Sequence, residues 1–397
     1  MKIFTFIIFT FTIKISLGFA PINKDSLQNK LVSIYSNNYT SINSTHLPLS
    51  FFKKIFKGGV INEKDLGSTQ NLNKTNTSGF ELDLSVGFKI LNSETNNGWY
   101  LKFQNLNTGG VKYAQNLFNC VFIGNKNISS PVKLGNTSFH LRNHQLFHVG
   151  LIKKNLSVGL SIGNINSEYQ GSFSENSFFN PSSPYLWEIS IQPRFLFLEN
   201  RPKSLLKNGN SFGIDLEFSN CNKNAVSEKL NYSIGINNLG VMLFHDSYKR
   251  YEFDTTFTFQ GFSFEEILNF DSTILSLYET IEPSLEEKNE LQISPFHIFS
   301  EFSYHFKDFK LITALNYRHK SQYIPKIHLG LEKKLNNNFA IGNSISYGGF
   351  NKFQWGTNIN YSINKLKINL IFNNIVGFAP SLGKSFGINL GFTLDIN

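Results

Sequence analysis

The sequence predicts an all-β fold: a transmembrane, antiparallel, up-and-down β-barrel of about 14 strands with one helical acidic loop insertion. Three observations predict it. Apolar and polar residues alternate with a period of two over most of the chain. The polar face is built from Gly, Ser, Asn and Thr more than from Lys and Glu. Trp and Tyr gather near segment ends, at Trp99, Tyr100, Tyr185, Trp187, Tyr347, Trp355 and Tyr361, where a barrel carries its aromatic girdles.

The last sixty or so residues show the alternation most fully. Phe339, Ile341, Ile345 and Tyr347 are set against Ala340, Gly342, Ser344, Ser346 and Gly348. Phe353, Trp355, Ile359, Tyr361 and Ile363 follow, then Leu366, Ile368, Leu370 and Phe372. The final run places Phe386, Ile388, Leu390, Phe392, Leu394 and Ile396 opposite Gly387, Asn389, Gly391, Thr393 and Asp395. A soluble sandwich alternates in the same way, with its apolar face inward. Small polar residues suit a lumen instead, and a last strand able to pair with the first removes both sheet edges. A secreted or periplasmic all-β binding protein is the competing reading.

Composition agrees. Aromatics are 15% of the 397 residues, with 41 Phe and 15 Tyr. Mean hydropathy is −0.18, and beyond the N-terminus no run approaches the ~20 apolar residues of a membrane helix. A barrel stays compatible, because lumen-facing residues dilute its lipid-facing ones. Net charge is +9. The lysines sit in turns (Lys153–Lys154, Lys333–Lys334, Lys365, Lys367) rather than on one helix face, and no nucleic-acid motif is present.

In chain order, residues 1–18 read as a signal peptide. The apolar run from Ile3 to Ile13 is too short to span a bilayer, and Ser16 and Gly18 prepare a cut after Gly18. Residues 19–78 are polar and weakly patterned, either an opening strand with a plug or partly disordered. The barrel is expected over 79–397. Its segments fall near residues 80–90, 99–103, 117–123, 146–151, 156–162, 185–197, 212–218, 230–236 and 251–259. They resume at 296–306, 309–317, 324–331 and the closing strands. Pro193 demotes part of its strand or marks a bulge. Residues 263–291 break the period: Phe270, Ile274, Leu277, Tyr278 and Ile281 lie at helical spacing, Ser263 and Glu266 fit a capping box, and eight acidic residues stand among them. This segment is expected to pack on the rim or in the lumen.

The run from His144 to Gly163 (HQLFHVGLIKKNLSVGLSIG) resembles a recurring hairpin of Bacteroidota outer-membrane barrels. The stretch Asn237-Asn-Leu-Gly240 leading to Tyr251-Glu-Phe253 and Phe259-Gln-Gly261 is similar to the same group, as are Leu329-Gly-Leu331 and residues 344–350. The group includes the PorP/SprF barrels of gliding and type IX secretion and relatives with no assigned function. This chain lacks the Asn-Pro-Ala start of the former. The resemblance implies a place in the cell outer membrane, contact with the bilayer and with envelope proteins, and no catalytic residues.

Few residues suggest chemistry. His140, His144 and His148 are spaced by four, but on one strand they would stand ~13 Å apart, end to end of a pair, too far to share an ion. Asp215 and Glu217 share one strand face and read as lumen charges. Cys120 and Cys221 have no metal-site spacing, and sequence leaves their pairing open. No phosphate loop, Gly-x-Ser-x-Gly elbow or Cys-x-x-Cys is present. The expectation is therefore a non-enzymatic barrel without cofactor, metal or nucleic acid, serving as a structural or assembly component or as a small-solute channel. A PorP/SprF-like role is an alternative.

Overall fold

The computed structural model describes residues 30–66, 73–123, 131–183, 186–198, 209–220, 230–244, 248–252, 254–259, 284–287 and 290–396. Among these, fourteen strands close into one antiparallel ring. They are β1 (Lys30–Ser44), β2 (Thr75–Asn92), β3 (Asn97–Ala114), β4 (Ser138–Lys153) and β5 (Leu156–Phe173). Next come β6 (Gly209–Ser219), β7 (Leu230–Phe244), β8 (His297–Phe306), β9 (Phe309–Arg318) and β10 (Ile324–Lys334). The ring ends with β11 (Phe339–Gly349), β12 (Asn351–Ile363), β13 (Leu366–Phe372) and β14 (Ser385–Ile396). Each strand pairs with the next in the chain. β14 closes on β1 in continuous register from Val32↔Ile396 to Asn43↔Ser385, so the ring has no free edge.

The alternation orients the wall. Leu156, Val158, Leu160 and Ile162 of β5 are exposed on the outside, while Ser157, Gly159, Ser161 and Gly163 face the lumen. This is the inverse of a soluble core, and it is what a barrel in hydrocarbon requires. Trp99, Tyr347, Trp355 and Tyr361 stand outward near strand ends. Tyr100 differs: it turns inward over Gly150 and Gly159, where a Cβ would lie 2.3 and 2.2 Å from its ring and hydroxyl.

The two ends differ. One carries short turns at residues 93–96, 154–155, 307–308, 335–338 and 364–365. Asn96, Lys154, Lys307 and Asn364 adopt positive φ there, the backbone that tight hairpins need. The other end carries most of the long connections. Two short strands there extend the wall: Pro193–Leu198 pairs with upper β5, and Glu290–Ile293 with upper β7. A four-stranded side sheet joins Val132–Lys133, Phe178–Ser183, Leu186–Ile191 and Thr255–Phe259.

Several expectations change. The first wall strand is β1, inside the segment the sequence left open. Residues 117–123 are not strand: they fall in and just after helix α3 (Gln115–Phe122), where the rings of Phe118 and Phe122 touch at i, i+4 with their planes tilted by 38°. Residues 185–197 and 251–259 are short strands of the loop end, divided around Gln192 and before Thr255, rather than spanning strands. Of the predicted insertion, Ser284–Glu287 and Glu290–Ile293 are strand rather than helix. Residues 260–283, the signal peptide and Cys221 lie outside the described residues. Cys120 is a free thiol.

The loop end is capped between β1 and β4. Helices α1 (Leu49–Lys57) and α2 (Glu63–Leu66) pack with α3 through Leu47, Phe51, Leu66, Tyr113 and Phe118. Lys54 Nζ bonds Asp65 Oδ2 at 2.5 Å, and the Asn62 amide donates to the same oxygen at 2.9 Å. The Lys54 ammonium, with the Asn62 amide, holds the Asp65 carboxyl below the usual carboxylate range. Because that value is lowered on folding, the tether is complete at neutral pH and is lost as pH falls through it. Limited proteolysis at Gly58–Gly59 should therefore accelerate in strong acid, and in Asp65→Asn it should be fast already at neutral pH.

Across the mouth, the β11–β12 turn folds inward. Phe350 is 2% exposed and lies where Gly79 and Gly110 have no side chains; a Cβ on either would come within 2.7 and 2.8 Å of its ring. The wall is also uneven in height. β2 to β5 have 16 to 18 residues, whereas β8 to β10 have 10 or 11.

Candidate functional site

Alternation puts Glu81 and Asp83 of β2 and Arg318 of β9 on the lumen side. In a ring of fourteen, strands two and nine are seven apart in either direction (9 − 2), so they are opposite walls. Their side chains meet. Arg318 Nη2 pairs with Glu81 Oε1 and lies 3.4 Å from Asp83 Oδ2. The arginine side chain is 13% exposed and the glutamate 4%. This contact is a strut from wall to wall.

A hydrogen-bonded chain continues the strut round one side. Gln104 Nε2 of β3 donates to both Asp83 oxygens, at 2.8 and 2.7 Å. Its Oε1 lies 3.2 Å from His148 Nε2 of β4, and His148 Nδ1 lies 2.5 Å from Asp215 Oδ2 of β6. Both ring nitrogens thus lie beside side-chain oxygens. The Asn238 amide of β7 donates to Asp215 Oδ1 at 2.7 Å, and Asn238 Nδ2 donates to Ser294 Oγ at 2.8 Å. One layer of polar side chains therefore links β9, β2, β3, β4, β6 and β7.

A second cluster sits nearer the loop end. The register shift between Asn143 and His144 places Arg142 opposite Glu168, the re-aiming a bulge provides. Arg142 donates to Glu168 from Nε at 3.1 and 2.9 Å and from Nη2 at 2.7 Å. Its Nη1 donates to the Lys320 carbonyl at 2.8 Å, which fastens the β9–β10 loop to β4. His144 Nε2 lies 3.3 Å from Glu168 Oε2, and Gln170 also bonds this carboxylate.

Two cavities flank the layer. One of 540 Å³ opens at the loop end beside His140, Gln170, Arg194, Lys320 and Gln322. The other, of 590 Å³, opens at the turn end beside Tyr35, Tyr100, Lys102, Asp215 and Glu217. They share no lining residue.

The residues singled out from sequence have separate places. His140, His144 and His148 all face inward from β4 but do not converge. His144 serves Glu168, His148 serves Asp215, and both ring nitrogens of His140 lack a partner. Among the described residues no group of three or more His, Cys, Asp or Glu is placed to hold a metal ion. Asp215 and Glu217 do share the lumen face, and Ser233 Oγ donates to Glu217 at 2.8 Å. Sequence reasoning missed Arg318 and Glu168; their one signal was a charge on the polar side of an alternating strand.

The fold defines the class, a closed antiparallel β-barrel, here with an interior bridged by side chains. The chain belongs to a family of unknown function, DUF5723, whose model matches residues 26–373. No curated protein matches the sequence. Among solved structures, the chain is similar to the Ralstonia pickettii toluene transporter TbuX at 9% identity and TM-score 0.40, over 92% of this chain and 89% of that one. The Pseudomonas putida toluene transporter TodX is similar at 8% identity and TM-score 0.32, over 96% and 89%. A triple mutant of the Rh. blastica porin is similar at 9% identity and TM-score 0.24, over 91% and 100%.

Proposed function

We propose that the protein is a non-enzymatic barrel of the cell outer membrane and works as a gated channel for small polar solutes, shut at rest. The observation that carries this reading is the Arg318–Glu81/Asp83 strut between opposite walls. A lumen that only had to be filled would be filled more favourably by apolar packing, since burying ions costs several kcal/mol each. Charged struts leave a wettable passage when they part. The cavities above and below are of solute size. The exposed apolar exterior supports the membrane location.

Proteoliposome swelling with a series of sugars and amino acids tests the reading. Wild-type protein should admit them slowly, and Glu81→Gln with Asp83→Asn should admit the small ones faster. Equal, slow swelling by both would reject gating at this layer. Cell fractionation tests the location: recovery in the detergent-free soluble fraction would reject it. The second reading, an assembly component of the PorP/SprF kind, is favoured by the tall wall of β2 to β5, which exceeds what a bilayer alone requires.

A further inference from the structure

We infer that the outer face of β3 to β5 is a self-association surface, occupied by a second copy of this chain. The inference rests on the membrane reading above, but not on gating.

A stripe of carboxamides crosses this face. Asn107 Nδ2 donates to Asn105 Oδ1 at 3.4 Å, and Asn143 donates to Asn107 Oδ1. Asn166 Nδ2 donates to Asn143 Oδ1 at 2.7 Å, and Asn164 Nδ2 donates to Asn166 Oδ1 at 2.6 Å. Register confirms the side: Asn107 opposes Asn143, which alternates with the lumen-facing Arg142 and His144, as Asn107 does with the buried Leu106 and Thr108. Apolar side chains border the stripe toward both ends, with Phe103, Phe147 and Ile162 exposed toward the turns and Val111 and Leu141 toward the loops.

The stripe lies at hydrocarbon depth. Asn143 is eight residues from Leu151 (151 − 143), about 20 Å up the barrel axis at ~3.3 Å per residue and a tilt of ~40°, within an apolar band of about 25 Å. Acyl chains offer amides no partner there. Asn107 and Asn143 each use one N–H and one oxygen lone pair along the stripe. Each carboxamide has two of both, and among the described residues the second set has no partner.

The chemistry selects the occupant. The face both donates and accepts, so it complements itself, as a twofold interface must. From Trp99 to Val111, Phe139 to Leu151 and Leu156 to Phe173, no outward position is charged, so a charged partner would find no counter-ion. Above the band the surface stays apolar: Phe56 of α1 is 70% exposed beside a 240 Å³ groove lined by Phe52, Phe80, Val111, Phe139 and Leu141. Lipid headgroups would leave that part wet; a second copy continues over it.

Disulfide trapping in isolated outer membranes tests this, with Cys120 and Cys221 replaced by serine. Heat-modifiable gel mobility first confirms a folded barrel, and fractionation reports the location separately. Asn143→Cys should give a disulfide-linked dimer, and Leu329→Cys on the far wall should stay monomeric. If Asn143→Cys does not fold, Gln145→Cys reports on the same stripe. In the native-cysteine protein, Asn107→Leu with Asn143→Leu should weaken association about tenfold or more, read by native mass spectrometry. The inference is overturned by a monomer at Asn143→Cys and Gln145→Cys, by equal dimer at Leu329→Cys, by a cross-link to another protein only, or by undiminished association of the leucine variant.

Discussion

Replacing Arg318 by alanine is expected to turn a closed barrel into a conducting one. The guanidinium is the sole contribution of β9 to the strut, and it holds Glu81 and Asp83 across the full width of the lumen. Without it, two carboxylates face water with only the buried Lys326 of β10 left as a far-wall cation near Glu81. They repel each other, hydrate, and line the passage that opens. The new conductance should favour cations, since rings or pairs of carboxylates select them. Glu81→Gln combined with Asp83→Asn removes the strut from the other side and leaves Arg318 unpaired, so that channel should favour anions. Opposite selectivity in the two variants is the signature of one gate cut at either end. Reversal potentials under a salt gradient check it, and equal selectivity would mean that the current bypasses this layer.

Replacing Arg142 by alanine is expected to weaken the fold rather than open the lumen. Glu168 is 0% exposed and takes three of its hydrogen bonds from this guanidinium. Removing one partner of such a pair costs about 3–5 kcal/mol, because the other charge stays buried and uncompensated. The Lys320 carbonyl also loses its donor. Arg142→Lys should restore little, since an ammonium cannot reproduce the planar fork. Arg142→Met with Glu168→Met should recover most of the loss. Urea titration of the folded band in lipid measures this, and a midpoint for Arg142→Ala within ~0.5 kcal/mol of wild type would contradict it.

How far these features were legible depends on what each leaves in local sequence. The wall strands from β8 to β14 were legible because their outer positions are apolar. β1 was not, because its outward positions Ser36, Asn38 and Thr40 are polar and erase the period, and its pairing appears only with β2 and β14 in place. Residues 117–123 misled because a short apolar run fits strand and helix alike. Asp215 and Glu217 were rightly placed on the polar side, and Glu81 and Asp83 hold the same side of β2. Their partners were not predictable: Arg318 is 237 residues from Glu81 (318 − 81), and the two meet only because fourteen strands close. The carboxamide stripe was hidden for another reason, since five asparagines in an Asn-rich chain carry no signal until register puts them side by side on the outside.

The claim that the lumen is closed at rest is tested most directly by conductance in planar lipid bilayers. Folded wild-type protein, checked by heat-modifiable mobility, is inserted and held at low voltage. A silent baseline with brief, infrequent openings is expected, with steady current only after the strut is cut. A large, steady, ohmic conductance from the wild-type barrel would show that ions pass the Arg318–Glu81 layer freely and would contradict it.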